Sequence, residues 1–194
     1  MRNLLHCSTL KAAILLGILL ATTRAAPAQA LITAQRGAEI APFVQTTVLS
    51  PDWGPSYNFG YTVGVDYTRF IRSIEQPSLE VRMVSANGNT ASEHSYLGGL
   101  KLETAIHGIH PYVTVLVGNG TVTFAKPAAN DIGPNNSFLI YSLGGGAEFN
   151  IKSQWKLLVD VTRQTWNIDP QVLNPTAVNL GVAYRLPIHA GRVR

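Results

Sequence analysis

Glu93, His94 and Ser95 stand side by side and supply the acid, base and nucleophile types of a serine hydrolase. That chemistry needs the imidazole within hydrogen-bond reach of the hydroxyl and an acid to orient it. The three sit where a polar loop meets an alternating segment, and neighbouring strand residues point to opposite faces. His94 and Ser95 are therefore expected to diverge, which leaves a solvated loop edge as the preferred reading. His107 and His110 flank the short connection Ile106–Gly108; a metal there would need further ligands, so both are read as turn histidines. The triple glycine Gly144–Gly146 lies inside a strand-like segment, where it relieves crowding or permits curvature and cradles no phosphate. No catalytic, cofactor-binding or metal-binding residue is assigned.

A larger set of ionisable residues shares a different property. Asp66, Glu80, Arg82, Lys101, Glu103, Glu148, Lys156, Asp160 and Arg185 each fall in alternation with glycines or small polar residues. Five are acidic and four basic, so the set nearly neutralises itself. If that face is enclosed, every charge needs a partner, because unpaired burial is expensive. The expected pairs are Glu80 with Lys101, Asp66 with Arg82, and Glu148 with Lys156. On the outer face of a soluble sheet the same residues would simply be hydrated.

The elements that must position these charges are strands. From about residue 38 the dominant period is two: Phe59, Tyr61, Val63, Val65 and Tyr67 alternate with Gly60, Thr62, Gly64, Asp66 and Thr68. Leu79–Met83, Trp155–Thr162 and Val178–Leu186 repeat the pattern. Breaks at turn-rich stretches give eight strands, at 38–50, 58–70, 77–86, 95–105, 109–124, 138–149, 155–167 and 176–186. Four longer polar connections (51–57, 87–94, 125–137 and 168–175) alternate with shorter ones at 71–76, 106–108 and 150–154. Long loops on one side and short turns on the other, with an even strand count, is the layout of a membrane barrel.

Composition fits that layout. Charged residues are 13% of the 194 and apolar ones 46%, too little charge to cover a soluble surface comfortably. Beyond the first thirty residues no apolar run is long enough for a helical span. Those first thirty read as a cleaved secretory signal: Arg2 and Lys11 are basic, Ala12–Ala21 is apolar, and Ala28-Gln29-Ala30 offers the small-x-small cleavage site at Ala28 and Ala30. Setting aside Arg2, Lys11 and Arg24 lowers fifteen basic residues to twelve, against eleven acidic ones. Such a balance gives no warrant for nucleic-acid binding. Cys7 is the only cysteine and leaves with the leader, so disulfides hold nothing together. Residues 31–186 are expected to form one barrel domain, with 187–194 as a short tail.

Period alone does not say whether the apolar face points to a core or to lipid. The aromatics favour lipid: Tyr57, Phe59, Tyr96, Phe124, Phe138 and Trp166 fall at one set of strand ends, and Tyr67, Phe70, Phe149, Trp155 and Tyr184 at the other. Two girdles of this kind mark the headgroup levels of a bilayer. The closing segment adds Asn179, Gly181, Tyr184 and Leu186, a pattern similar to the C-terminal signal by which the outer-membrane assembly machinery recognises client barrels. Such clients usually end on the final aromatic, whereas here Pro187–Arg194 follows.

Across about residues 35–186 the chain resembles the small OmpA/OmpX-like outer-membrane β-barrels, on its leader, its eight alternating segments, FGYTVGVDYTRF, YSLGGGAEF and the closing NLGVAYRL. The resemblance implies an all-β, eight-stranded antiparallel up-and-down transmembrane barrel with its loops outside the cell. A lumen of that size is filled by its own side chains, so nine inward charges should plug it, and general porin activity is not expected. The leading expectation is a non-enzymatic surface barrel that contributes to envelope integrity or to contacts made by its loops. Its expected partners are outer-membrane lipid and, during biogenesis, the assembly machinery; it needs no cofactor, binds no nucleic acid and is expected to be a monomer. The alternatives are a lipid-modifying barrel enzyme and a soluble periplasmic barrel holding an apolar ligand.

Overall fold

A computed structural model of the chain describes residues 38–52, 56–69, 75–124, 137–168 and 171–188. The expected leader with Ala28 and Ala30, together with Phe70 and residues 189–194, lies outside the described residues.

Seven long strands run antiparallel in chain order: β1 (Ala38–Ser50), β2 (Asn58–Arg69), β3 (Glu75–Asn87), β4 (Ala91–Thr104), β5 (Ile109–Phe124), β6 (Ser137–Asn150) and β7 (Trp155–Ile168). An eighth is built from three consecutive pieces, β8 (Gln171–Leu173), β9 (Thr176–Tyr184) and β10 (Leu186–Ile188). The pieces β8 and β9 pair with β7, and β9 and β10 pair with β1, so the sheet closes on itself with no free edge. The result is the expected eight-stranded up-and-down barrel.

Local chemistry explains the joints. Proline has no N–H to give to a ladder, and the eighth strand breaks at Asn174 and Pro175. The Pro175 carbonyl still accepts from Gln164 N (2.9 Å), and Asp52 Oδ2 accepts from Asn174 N (3.0 Å). The β4–β5 hairpin turns at His107 and Gly108, whose φ values of 48° and 86° are those of a two-residue type I′ turn. A side chain at Gly108 would be strained there whatever the space around it.

Several strands are longer than their turn residues suggest. The β3–β4 hairpin closes over 88–90, with Gly88 N donating to Ala91 O at 3.0 Å. Much of the polar stretch expected as the 87–94 loop is therefore barrel wall. Likewise β7 and β8 take up half of the expected 168–175 loop, and β10 carries the eighth strand two residues into the expected tail.

Register fixes the barrel's shape. From Ser50, facing residues lead through Thr176, Arg163, Leu143, Val115, Leu100, Leu79 and Tyr67 back to β1 at Ile40, ten residues from the start. Eight strands with that stagger tilt by about 40° from the barrel axis. Side chains on opposite walls therefore meet at levels that strand-by-strand pairing does not show.

Candidate functional site

The barrel's polarity is inside out. Val81, Leu100, Val115 and Leu143 are 59–65% exposed on the outer wall, whereas Asp66, Glu80, Arg82, Lys101, Glu103, Glu148, Lys156 and Asp160 are buried inside it. Arg185 is half-buried at the end of β9.

These charges join into a connected network. Lys101, from β4, reaches Asp66 on β2 (Nζ to Oδ2, 2.7 Å) and Glu148 on β6, and stands 4.0 Å from Glu103. Lys156 reaches Glu148 (2.6 Å), Glu103 (3.6 Å) and Glu39 (3.7 Å), and Arg185 Nε lies 2.7 Å from Glu39. Arg82 pairs with Glu80 on its own strand. Asp160 has no cationic partner at ion-pair distance among the described residues. It accepts hydrogen bonds from Gln45 Nε2 (2.9 Å), the Tyr112 hydroxyl (2.8 Å) and Asn179 Nδ2. Two rings line the cations: Lys101 Nζ lies 4.4 Å from the Tyr112 centroid, and the Arg82 guanidinium 5.8 Å from that of Phe43.

Of the three expected pairs, only Glu148 with Lys156 is in contact. Register explains the others: Lys101 faces Ser78, Glu80 faces Gly99, and Asp66 faces Glu80. The tilted strands let Lys101 meet carboxylates on non-adjacent strands, and Arg82 folds back along its own. Sequence reasoning also left Glu39, His110, Gln45, Tyr112 and Phe43 out of the interior. Their strand parity was the available signal, since each alternates with outward apolar residues. His110 is no bare turn residue, for its Nδ1 lies 2.6 Å from Glu103 Oε1 and its Nε2 is 3.1 Å from Asn150 Nδ2.

Above the charges the interior changes character. Val84, Leu97, Leu116, Val122, Ile140, Trp166 and Ile168 form a buried apolar cluster, with Phe124, Phe138 and Leu173 packed against it. This corrects the girdle assignment for Phe124, Phe138 and Trp166, which turn inward on the same parity as Lys156, Asp160 and Thr114. The Trp166 indole N–H donates to Gln164 Oε1 at 2.8 Å, which satisfies its one polar atom.

The exposed aromatics among the described residues are Tyr57, Phe59, Tyr61, Tyr96 and Tyr141 toward one rim and Tyr67 and Trp155 toward the other, with Phe149 and Tyr184 half-buried on the same outward parity. Trp155 makes an edge-to-face contact with Tyr184, centroids 5.0 Å apart. The remaining closing-strand residues are also accounted for. Asn179 points inward to Asp160, and Leu186 is exposed. At Gly181 a Cβ would come within 2.0 Å of the Val44 carbonyl oxygen.

The hydrolase-like trio separates as strand geometry requires. His94 is exposed on the outer wall, while Glu93 and Ser95 are buried inside. Asn58 Nδ2 donates to Glu93 at 3.3 Å. Within the triple glycine, an added Cβ at Gly146 would meet the Val159 carbonyl oxygen at 2.3 Å and Asp160 Cβ at 2.6 Å, so position 146 has no room for a side chain.

No protein-family sequence model matches the chain, and no curated protein is similar to it in sequence. Solved structures are similar in fold. Neisserial surface protein A is 8% identical with a TM-score of 0.52, over 77% of this chain and 97% of that one. Ail, the attachment invasion locus protein of Yersinia pestis, is 13% identical with a TM-score of 0.48, over 78% and 99%. The N-terminal barrel domain of Pseudomonas aeruginosa OprF is 12% identical with a TM-score of 0.47, over 78% and 100%. With its closed antiparallel meander, inward charges and outward apolar wall, the chain has the fold of the small OmpA/OmpX-like outer-membrane β-barrels.

Proposed function

We propose that this protein is a non-enzymatic outer-membrane barrel with a sealed lumen, serving envelope structure or surface contacts through its outer rim. The observation that carries the reading is the inverted polarity: the charges are buried and large apolar side chains are exposed around the wall. In water such a wall would be a very large apolar patch. Against lipid it is the ordinary outer surface of a barrel.

The seal has two layers, an ionic one and an apolar one. The reading is supported by the buried charges, which pair with one another inside the barrel, and by the apolar cluster around Trp166. The enzyme reading loses support because His94 and Ser95 occupy opposite sides of the wall. In this reading the barrel acts as a monomer, and its closing strand, with Asn179, Gly181, Tyr184 and Leu186, is what the assembly machinery recognises.

Fractionation combined with gel migration tests the membrane assignment. The barrel should stay with the outer membrane until detergent is added and should migrate differently before and after boiling. Recovery in the soluble periplasm without detergent would overturn it. Planar-bilayer recording tests the seal: no sustained open-pore conductance is expected, and a stable pore-sized current would refute the plug.

A further inference from the structure

The outer wall of β5, β6 and β7 carries a groove of about 500 Å³, lined by Val115, Val117, Tyr141, Leu143, Arg163 and Thr165. Four of these are apolar or aromatic residues exposed on the outer face. Arg163 is also exposed there, and its side chain has no hydrogen bond or ion pair among the described residues.

Arg163 sits at a boundary. Below it the outer face of β7 carries Val161 and Val159; above it come Thr165 and Asn167. It faces Leu143 on β6 and Thr176 on β9, and the next pair outward is Tyr141 with Thr165. A guanidinium on a lipid-facing wall is tolerated near the interface and disfavoured at the midplane. The Thr165 hydroxyl is already given to Asn174 Oδ1 (3.1 Å), which leaves Tyr141 and Thr176 as the neighbouring hydroxyls on β6 and β9; a planar, permanently charged donor with neutral donors beside it is what a phosphate requires. Beside Arg163, across β6 and β5, Leu143, Val115 and Val117 form a trough with the character of an acyl-chain seat.

We propose that this face binds a phosphorylated outer-leaflet lipid, with the phosphate on Arg163 and an acyl chain along the Val115–Leu143 trough. The inference rests on the reading of the chain as a membrane barrel. It commits to a membrane lipid because the charge and the trough are contiguous, and free phosphate would use only the first.

The test uses the full barrel in phosphatidylcholine nanodiscs doped with diphosphoryl lipid A, with retained lipid counted by native mass spectrometry after detergent extraction. Wild type should retain lipid A about tenfold more than its dephosphorylated form, the ratio expected of one charge-assisted contact. Arg163→Gln should lose that preference, Arg163→Lys should keep most of it, and Leu143→Ser should lower retention of both forms. Equal retention by wild type and Arg163→Gln would overturn the proposal, as would displacement of the lipid by inorganic phosphate alone. Heat-modifiable migration of every variant separates this outcome from loss of the fold. A wild type that fails to enter the bilayer overturns the membrane reading instead, whereas one that inserts without selectivity overturns only the site.

Discussion

Gly120 leaves the space that the Trp166 indole fills: a Cβ at position 120 would stand 2.7 Å from Trp166 Cη2 and 2.4 Å from Ile140 Cδ1. It would also lie 2.8 Å from the His94 carbonyl oxygen, so side-chain movement alone would not relieve it. Gly120→Val is therefore expected to destabilise the barrel by about 1–3 kcal/mol through overpacking. Trp166→Ala, which empties the fully buried seat, should lower stability by about 3–5 kcal/mol. Urea titration of the refolded barrel in vesicles measures both. A Trp166→Ala barrel as stable as wild type would mean that the cluster is not packed.

Lys101 is a junction of the charge network, so its removal leaves Asp66 without its cation and Glu148 with Lys156 alone. Lys101→Met should destabilise by about 3–5 kcal/mol, the range for breaking a buried pair from one side. Neutralising Asp66 together with it should restore most of the loss, whereas neutralising Glu148 as well should not, because Glu148 still pairs with Lys156. Charge swaps test the topology of the pairing: exchanging Glu80 with Arg82 should show strong coupling, whereas exchanging Glu80 with Lys101 should be nearly additive. The reverse result would return the network to neighbour-strand pairs.

The contrast between these two regions says what could be read from the chain alone. Alternation over Phe59–Thr68 and Trp155–Thr162 was enough for strands, their number and their faces, because a side-chain period of two is local. Trp166 was legible too. It shares even parity with Lys156 and Asp160, and that parity outweighs the general preference of aromatics for girdles. The ion pairs were not legible, because Asp66, Lys101 and Glu148 come from alternate strands and meet through the barrel's tilt. Loop lengths misled for a related reason: Asn87–His94 is rich in turn residues, yet a tight turn at 88–90 satisfies the chain and the wall continues.

The tryptophans report the two sides of the wall. In variants that retain a single tryptophan, brominated acyl chains should quench Trp155, which is 44% exposed on the outside, and leave Trp166 nearly unaffected. Equal quenching would place Trp166 in lipid and restore the girdle assignment made from its position near a strand end.

The bilayer's depth along the wall can be mapped with arginine. Val115 lies on the outer face of β5, and its register partners Leu143 and Leu100 are also exposed and apolar, which puts it well inside the apolar band. Thr165 lies one outward position beyond Arg163 and faces Tyr141, at the level where polar groups begin. Arginine costs about 2–4 kcal/mol at the midplane of a barrel's lipid face and about 0–1 kcal/mol near an interface. Val115→Arg should therefore lower stability in vesicles by the larger amount and Thr165→Arg by little. In detergent micelles, whose thickness adapts to the protein, the gap between the two variants should shrink. If both substitutions cost the same in vesicles, the wall at Val115 does not face hydrocarbon, and the apolar band would have to be covered by something other than lipid.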